Sequence, residues 1–329
     1  MALLQSESPA SSAAAASVPL TPLEDWIRDR TGLSEPLTPA SLSEWQLARA
    51  QEQLEYAWTH SRYYREVLPE RTSFSNLRDP EQGGSPFFTE EKVLRSRASD
   101  LLCVKPREIA RVITLRTSGT SGDSKRIYFT EEDLRSTEDF FAVGMRPLLS
   151  QGEKAAVFME GANPWSVGGL LTGALRRFGA DTLVAGPVRA EDPAAWERAA
   201  QQAAGAACLV GLPWQMLSLA RRCPGLHPAS VLLSGDYVPE AAVQALRALW
   251  HCCVFQHWGM TETGYGGGVT CADSPYYHMR DADLLTEIID PADGSLLPEG
   301  AFGEIVITTL SRRGLPLIRY RTGDIGRLL

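Results

Sequence analysis

The chain has 329 residues, of which 44% are hydrophobic and 22% are charged. This composition is ordinary for a globular protein and supplies enough apolar side chains for one large domain or two smaller ones. The formal net charge of −8 excludes a general positive field that would attract nucleic acid. Any anionic ligand must therefore be held by a local site.

The first residues are rich in alanine and serine and lack both a basic start and a long apolar run. We interpret residues 1–25 as a disordered tail rather than an export signal. No stretch approaches the ~20 apolar residues of a membrane span, so no membrane partner is expected. Six cysteines are too few for a disulfide framework in a chain of this length, which predicts a reducing cytoplasm.

Helical spacing dominates residues 26–110. Ser41 and Glu44 have the spacing of a capping box, and apolar residues follow at helical intervals. The pattern predicts one long helix that ends near Tyr64. Residues 85–89 then form a predicted turn into a second, shorter helix.

Short apolar runs alternate with helical stretches in residues 111–285. Between two of the runs, Asp192 and Pro193 mark a helix start and Gly205 marks its end. Fully apolar strands that alternate with helices predict a parallel sheet covered on both faces, which is the α/β class. The predicted strands are residues 155–159, 182–185, 208–212, 231–233 and 252–256.

The last part, residues 286–329, is predicted to be a smaller β unit. Residues 287–290 and 304–310 are predicted strands, and residues 291–294 form a turn after the first. The expected architecture is therefore a multilayer parallel-sheet lobe with a small hairpin-like or barrel-like C-terminal portion.

A polar loop spans residues 117–125. Its amides, hydroxyls and single lysine can surround phosphate oxygens. The glycine spacing fits neither a Walker A sequence nor a dinucleotide fingerprint, and taken alone a polar hairpin turn is the better interpretation. The candidate phosphate ligands are Thr117, Ser118, Gly119, Thr120, Ser121, Gly122 and Lys125.

A second candidate segment, residues 257–262, follows a predicted strand. In open α/β sheets ligands bind at the carboxyl ends of the strands. A hydroxyl and a carboxylate there suit a phosphate and its Mg²⁺, although a capped loop start would look similar. The candidates are Trp258, Gly259, Met260, Thr261 and Glu262.

A third candidate is Asp324, the last residue of a Tyr-Arg-Thr-Gly-Asp segment. An aspartate after a glycine turn can accept hydrogen bonds from both hydroxyls of a ribose. The alternative is an ordinary Thr-Gly-Asp turn.

These segments, with Ser234, Gly235 and Asp236 between the first two, resemble the adenylate-forming superfamily in order and in spacing. That superfamily includes acyl-CoA synthetases, peptide-synthetase adenylation domains and luciferases. The resemblance runs from about residue 45 to residue 329. The phenylacetate–CoA ligase branch is the most similar, on the segments at residues 61–64, 85–89 and 316–321.

The resemblance implies a ligase that uses ATP to convert an aryl or arylacetic acid to an acyl-adenylate and then to its coenzyme A thioester. It implies that the polar loop binds the β- and γ-phosphates. It also implies that Thr261 and Glu262 are the catalytic pair, with Thr261 contacting the α-phosphate and Glu262 binding Mg²⁺. The remaining nucleotide contacts would be Ser234, Gly235, Asp236 and a stacking Trp258 at the adenine, Gly259 and Met260 beside it, and Asp324 at the ribose.

The same resemblance implies an acid pocket whose small residues leave room for a ring. Its expected lining is Trp165, Gly264, Tyr265, Gly266 and Gly267.

Two departures from the family pattern bear on activity. Asp123 and Ser124 stand where the family commonly has Lys or Arg and Pro. An anion beside a triphosphate is unfavourable, so Asp123 is expected to point outward or to reduce nucleotide affinity. The family's hinge, small C-terminal lobe and adenylating lysine are not found, so residues 26–329 are expected to be a large lobe that is poorly active alone.

A zinc site is a further hypothesis. Cys252, His257, Cys271 and His278 are soft or borderline ligands in one short stretch, and their mixture suits tetrahedral Zn²⁺. Cys253 competes with Cys252 for the role. The alternative is that the cysteines are buried strand residues and His278 is a loop residue.

Two rival functions stay open. The chain is either the ligase lobe or a non-catalytic module that binds a nucleotide or acyl-adenylate for a partner chain. Among ligases, a carrier-protein thiol is an alternative acceptor to coenzyme A. The sequence names neither the acid nor the oligomeric state, and a homodimer is among the open options.

Overall fold

The computed structural model describes residues 22–34, 36–79, 86–115, 124–271 and 274–329. Within these ranges no helix combines the length and apolar character that a membrane span requires. The helices are α1 Pro22–Thr31, α2 Pro39–His60, α3 Arg62–Val67, α4 Phe74–Arg78, α5 Glu91–Ser96, α6 Glu131–Gly144, α7 Val167–Arg177, α8 Pro193–Ala203, α9 Pro213–Arg222 and α10 Glu240–Trp250. The strands are β1 Ile109–Leu115, β2 Lys125–Thr130, β3 Lys154–Val157, β4 Asp181–Val184, β5 Cys208–Gly211, β6 Ser230–Leu233, β7 Cys253–Trp258, β8 Gly268–Cys271, β9 Ser274–Met279, β10 Leu284–Ile289, β11 Gly303–Thr309 and β12 Tyr320–Gly326.

The central sheet has the order β4-β3-β5-β6-β7-β8-β9. The neighbouring strands β4, β3, β5, β6 and β7 pair in parallel, whereas β8 and β9 pair antiparallel at the β7 edge. All five predicted apolar strands form, each with its ends within about two residues of the prediction, the usual uncertainty of such boundaries. The α/β prediction is confirmed.

Helices cover both faces of this sheet. Because side chains alternate along a strand, Val210 and Leu232 lie in one buried cluster with residues of α6 and α7. Leu209 and Val231 lie in a second cluster with residues of α8, α9 and α10. The two apolar faces explain why the strands are continuous apolar runs rather than alternating ones.

The N-terminal helices differ from the prediction at two points. Helix α2 begins at Pro39, and its capping box joins Thr38 to Ser41 rather than Ser41 to Glu44. The predicted single helix also breaks at Ser61, whose hydroxyl accepts from the amide of Tyr64 and donates to the carbonyl of Asp100. This break depends on a long-range contact that local spacing does not reveal. Helix α8 starts and stops where predicted, with Asp192 as its cap.

Two smaller sheets complete the described chain. Strands β1 and β2 pair antiparallel, and β10, β11 and β12 form a three-stranded antiparallel sheet. The predicted C-terminal β unit therefore has a third strand. That strand, β12, carries Asp324, and a register shift opposite Glu304 accompanies the positive φ of 77° at Gly323. Thr89, before α5, joins this unit to the N-terminal part by a bridge to Tyr320.

Candidate active site

Three of the predicted site segments meet at one edge of the central sheet. Strands β6 and β7 are parallel neighbours, so Ser234 and His257 lie together, and the Ser234 hydroxyl is 2.9 Å from His257 Nδ1. Trp258 ends β7, and its indole Nε1 donates to Asp324 Oδ2 on β12 at 3.0 Å. The sheet edge and the C-terminal sheet thus form the two sides of one site.

Glu262 lies at the centre of this site and is buried, with only 1% of its surface exposed. It belongs to the short helical turn Thr261–Thr263 that follows β7. Its Oε1 accepts from the Tyr320 hydroxyl at 3.0 Å and lies 2.5 Å from Lys125 Nζ. A buried carboxylate is stable in this place because the ammonium and the phenol compensate for its lost hydration.

Lys125 is shared between two carboxylates. Besides Glu262, it lies 3.2 Å from Oε1 of Glu91 at the start of α5. The predicted phosphate-contacting lysine therefore sits beside the predicted magnesium ligand. The rest of the polar loop, from Thr117 to Asp123, lies outside the described residues.

Arg312 and Tyr320 complete the surroundings of Glu262, and sequence reasoning assigned neither of them a role. Arg312 donates to the backbone carbonyl of Glu262 at 2.7 Å, and burial lowers the pKa of Arg312 to about 10. Burial, followed by the nearby Glu262 carboxylate, raises the pKa of the Tyr320 phenol, which keeps it a hydrogen-bond donor. Tyr320 is the first residue of the Tyr-Arg-Thr-Gly-Asp segment, so its place in that motif could have marked it as a candidate site residue.

Two glycines of the predicted acid-pocket run pack closely against aromatic rings. A Cβ on Gly267 would lie 2.4 Å from the Trp258 ring, and one on Gly266 would lie 2.7 Å from the Phe140 ring. These glycines let the backbone pack against the two rings. A role of the glycine run in an acid pocket stays a prediction.

The aromatic residues predicted to wall the acid pocket are partly buried against the main apolar core. Tyr265 has a positive φ of 68° and stacks on Phe129, with 5.7 Å between ring centroids. Trp165 lies just before α7, and its amide donates to Asn163. Contact of either residue with an acid stays a prediction.

A narrow apolar cavity opens beside Ser234 and His257. It has a volume of about 30 Å³ and lies between α6, α7 and the strands of the central sheet. None of the five predicted acid-pocket residues belongs to its lining. Its described lining residues are Phe140, Phe141, Gly144, Met145, Met159, Val167, Leu171, Val210, Leu232, Ser234, His257 and Val269.

A larger polar cleft of about 580 Å³ lies on the other side of Thr263 and Arg312. Its charged side chains are largely paired with one another, as in the contacts of Asp283 with Arg30 and Arg280. The walls of the apolar cavity, by contrast, suit a small organic group.

The four predicted zinc ligands do not come together. Within the described ranges, no group of three or more His, Cys, Asp and Glu residues is placed to hold a metal ion. His257 and His278 both stand opposite Val269, so strand β8 separates them by two strand spacings, roughly 10 Å. Cys252 is buried in an apolar cluster, and that burial raises its pKa to about 11. The described structure therefore shows no assembled zinc site, and zinc binding by these four residues stays a prediction.

The fold and site define an enzyme lobe of the AMP-binding type. The AMP-binding enzyme family matches residues 53–311, which is well over half of the chain, and the chain therefore belongs to that family. The resemblance drawn from the motifs is confirmed.

Within the family, the chain is similar to proteins named phenylacetate–coenzyme A ligase. The protein from Aromatoleum evansii is 28% identical over 314 residues, which cover 90% of this chain and 69% of that one. The Thermus thermophilus protein is 26% identical, covering 88% and 66%, and the Escherichia coli protein is 26% identical, covering 90% and 70%. The chain thus spans about two thirds of the length of these relatives.

A solved structure confirms the fold prediction. An open conformation of 2-hydroxyisobutyryl-CoA ligase, in complex with 2-HIB-AMP and CoA, superposes with a TM-score of 0.75 at 20% identity. The match covers 88% of this chain and 70% of that one.

Proposed function

We propose that this chain supplies the ATP and acid sites of an AMP-forming acid–CoA ligase that acts on an aryl or arylacetic acid. The observation that carries the proposal is the meeting of Glu262, Lys125 and the Trp258–Asp324 pair at the carboxyl edge of the sheet. Membership of the AMP-binding family and similarity to proteins named phenylacetate–coenzyme A ligase support the reaction and the acid class.

The proposed chemistry has two steps. In the first, a carboxylate oxygen of the acid forms a bond to the α-phosphorus of ATP while the bond to pyrophosphate breaks. In the second, the thiol of coenzyme A loses its proton and attacks the acyl carbonyl, and AMP leaves. Both steps require that negative groups be held close together, so the protein must offset their repulsion and fix their geometry.

Glu262 fits the role of a magnesium ligand, because carboxylate oxygen is the donor type that Mg²⁺ prefers and Tyr320 holds this carboxylate in place. When bound, Mg²⁺ would neutralise phosphate charge. Lys125, at the end of the polar loop, provides a second positive charge for the phosphates. Thr261, the first residue of the same turn as Glu262, would donate its hydroxyl to the α-phosphate.

The Trp258–Asp324 pair fits the nucleoside. In this proposal the indole ring supplies a face for the adenine, and the Asp324 carboxylate accepts from the ribose hydroxyls. Gly235, with a positive φ of 86°, lets the chain turn closely beside the adenine after β6. The apolar cavity beside Ser234, with a volume of about 30 Å³, receives a small substituent of the acid rather than its ring.

A binding experiment tests this proposal. Calorimetric titration with phenylacetyl-sulfamoyl adenosine, a stable mimic of the acyl-adenylate, should give saturable one-to-one binding. Asp324→Asn keeps an acceptor for Trp258 but removes the charge, and it should weaken binding at least about 10-fold. Asp181→Asn is the matched control, because Asp181 is exposed at the opposite, amino end of β4. Absence of binding, or equal effects of the two variants, would contradict the proposal.

A further inference from the structure

The lining of the apolar cavity includes one pair of polar side chains. Of its described lining residues only Ser234 and His257 carry polar side chains, and the others are apolar or glycine. The cavity volume of about 30 Å³ is close to that of one water molecule or one hydroxyl-sized group. Because His257 directly precedes Trp258, an acid joined to a nucleotide at Trp258 would reach this cavity only with a hydroxyl-sized substituent, while its ring stays outside.

The histidine ring is fixed in orientation. The Ser234 hydroxyl lies 2.9 Å from Nδ1, and the Phe141 ring meets the imidazole edge to face at an interplanar angle of 81°. A Cβ on Gly259 would lie 2.9 Å from His257 Cε1, so the ring is also closely packed along that edge. It therefore cannot turn Nε2 toward solvent without losing these contacts.

Nε2 of this ring is buried and has no hydrogen-bond partner among the residues that the structure describes. A buried polar atom without a partner is uncommon in native proteins and costs the free energy of its lost hydration. Burial lowers the pKa of His257 to about 4, so the ring is neutral near pH 7. Nε2 is then a neutral hydrogen-bond donor or a neutral hydrogen-bond acceptor, depending on the tautomer of the ring.

We propose that the acid accepted by this site carries a hydroxyl group on its apolar part, and that His257 Nε2 is the hydrogen-bond partner that selects it. This inference rests on the proposed function and narrows its substrate class. A hydroxyl can both donate and accept, so it suits either tautomer that Ser234 fixes. A charged substituent would lose its hydration among apolar walls, which excludes a second carboxylate or an amine.

Matched ligands test the proposal. Phenylacetyl-sulfamoyl adenosine and its ortho-, meta- and para-hydroxy derivatives would be titrated into the purified chain by calorimetry. At least one hydroxy isomer should bind about 5- to 100-fold more tightly than the unsubstituted compound. In His257→Leu the preference should disappear, because the unsubstituted ligand then meets an apolar wall.

Two further measurements separate selection from a merely structural role. His257→Gln, which retains a polar group, should keep part of the hydroxyl preference. The ¹⁵N NMR signal of His257 Nε2 should shift with the preferred hydroxy ligand and not with the unsubstituted one, a readout that needs no variant to fold.

The outcomes are distinct. If no adenylate mimic binds, the proposed function fails. If all mimics bind equally, or if His257→Leu weakens them by the same factor, the proposed function stands and the selection of a hydroxyl is overturned. A bound water would then be the partner of Nε2.

Discussion

Lys125 and Glu262 form an ion pair in which the carboxylate is buried and the lysine is partly buried, and each charge has a second contact. Lys125 also contacts the carboxylate of Glu91, and Glu262 also accepts a hydrogen bond from the hydroxyl of Tyr320. Such a pair adds little net stability, because the gain of attraction offsets the loss of hydration. In the proposed function, its value is that a lysine and a carboxylate are already in place for a triphosphate and its Mg²⁺.

Glu262→Gln is the sharpest test of this arrangement. Glutamine still accepts from Tyr320, so the fold should persist, with a loss of about 1–3 kcal/mol in the free energy of unfolding for the weakened pair. The affinity for Mg·ATP should fall at least about 10-fold. Calorimetry and urea unfolding measure the two effects.

Glu91→Gln is the matched control for that variant. It removes the other carboxylate next to Lys125 and leaves the contact of Lys125 with Glu262 intact. Unchanged Mg·ATP affinity in Glu262→Gln, or an equal loss in Glu91→Gln, would show that Glu262 is not the magnesium ligand.

Gly267 gives a second prediction for a single residue. A methyl group there would overlap the Trp258 ring, and a backbone oxygen 3.2 Å away limits relief. Gly267→Ala should therefore displace the indole, cost about 1–3 kcal/mol in the free energy of unfolding, and weaken adenylate binding. Thermal unfolding and calorimetry measure these changes.

Gly225→Ala is its control, because a Cβ at Gly225 would meet nothing within 4 Å and its φ is not positive. Equal behaviour of the two alanine variants would show that Gly267 is not required for the placement of Trp258.

Between elements, Asp283 is the main polar connection of the polar cleft. Its carboxylate accepts from Arg30 on α1, from Ser136 on α6 and from Ser311 after β11, and it pairs with Arg280. Burial alone would raise the pKa of Asp283, but the charges of Arg280 and Arg30 and the two hydroxyls lower it to about 2. The ionised form therefore holds three elements together.

The sign of the resulting pH dependence follows from that pKa. The folded pKa of Asp283 lies below the ordinary aspartate value of about 3.9, so its contribution is present above pH 4 and is lost as the pH falls toward 2. The contribution should be about 2–3 kcal/mol. In urea unfolding, Asp283→Asn should be less stable than the unmodified chain at pH 6, and the difference should shrink between about pH 4 and 2. A constant difference would mean that the charge of Asp283 does not matter.

Elements were predictable where one physical cause dominates. The parallel strands are buried on both faces, so continuous apolar runs predicted all five, and the Asp192 cap predicted the start of α8. The break at Ser61 was not predictable, since it depends on the distant carbonyl of Asp100. The separation of the two candidate histidines has the same origin, because β8 lies between them.

The site was predictable only in part. Motifs singled out Trp258, Glu262 and Asp324 as candidates, and the fold joins Trp258 to Asp324 on β12 and Glu262 to Tyr320 on the same strand. They did not reveal the cavity, because its walls come from α6 and α7, whose apolar faces resemble those of any packed helix. The motifs did not identify Arg312 for a similar reason. Arg312 contacts a backbone carbonyl, and such a contact leaves no pattern in the sequence.

We expect residues 1–329 by themselves to bind their ligands but to catalyse adenylation poorly. They span about two thirds of the length of the relatives, and they contain the residues proposed to bind the nucleotide and the apolar cavity. Adenylation also needs a cation on the charge that develops at the α-phosphate and a site closed to water. The resemblance assigns that cation to a lysine of a small C-terminal lobe, while Lys125 is committed to the phosphate end beside Glu262.

We therefore expect residues 1–329 to bind Mg·ATP and the adenylate mimic but to release scarcely detectable pyrophosphate with ATP and an aromatic acid. Loss of one strong electrostatic contact alone lowers rates by about 10²–10³-fold, and an open site adds to that loss. Calorimetry measures the binding, and a coupled pyrophosphate assay measures turnover. A family small lobe, fused or added in trans, should restore activity, whereas the same lobe with its lysine changed to alanine should not. Rapid thioester formation by residues 1–329 alone would show that a residue within them performs the task of that lysine, and Lys125→Ala would then be the first variant to examine.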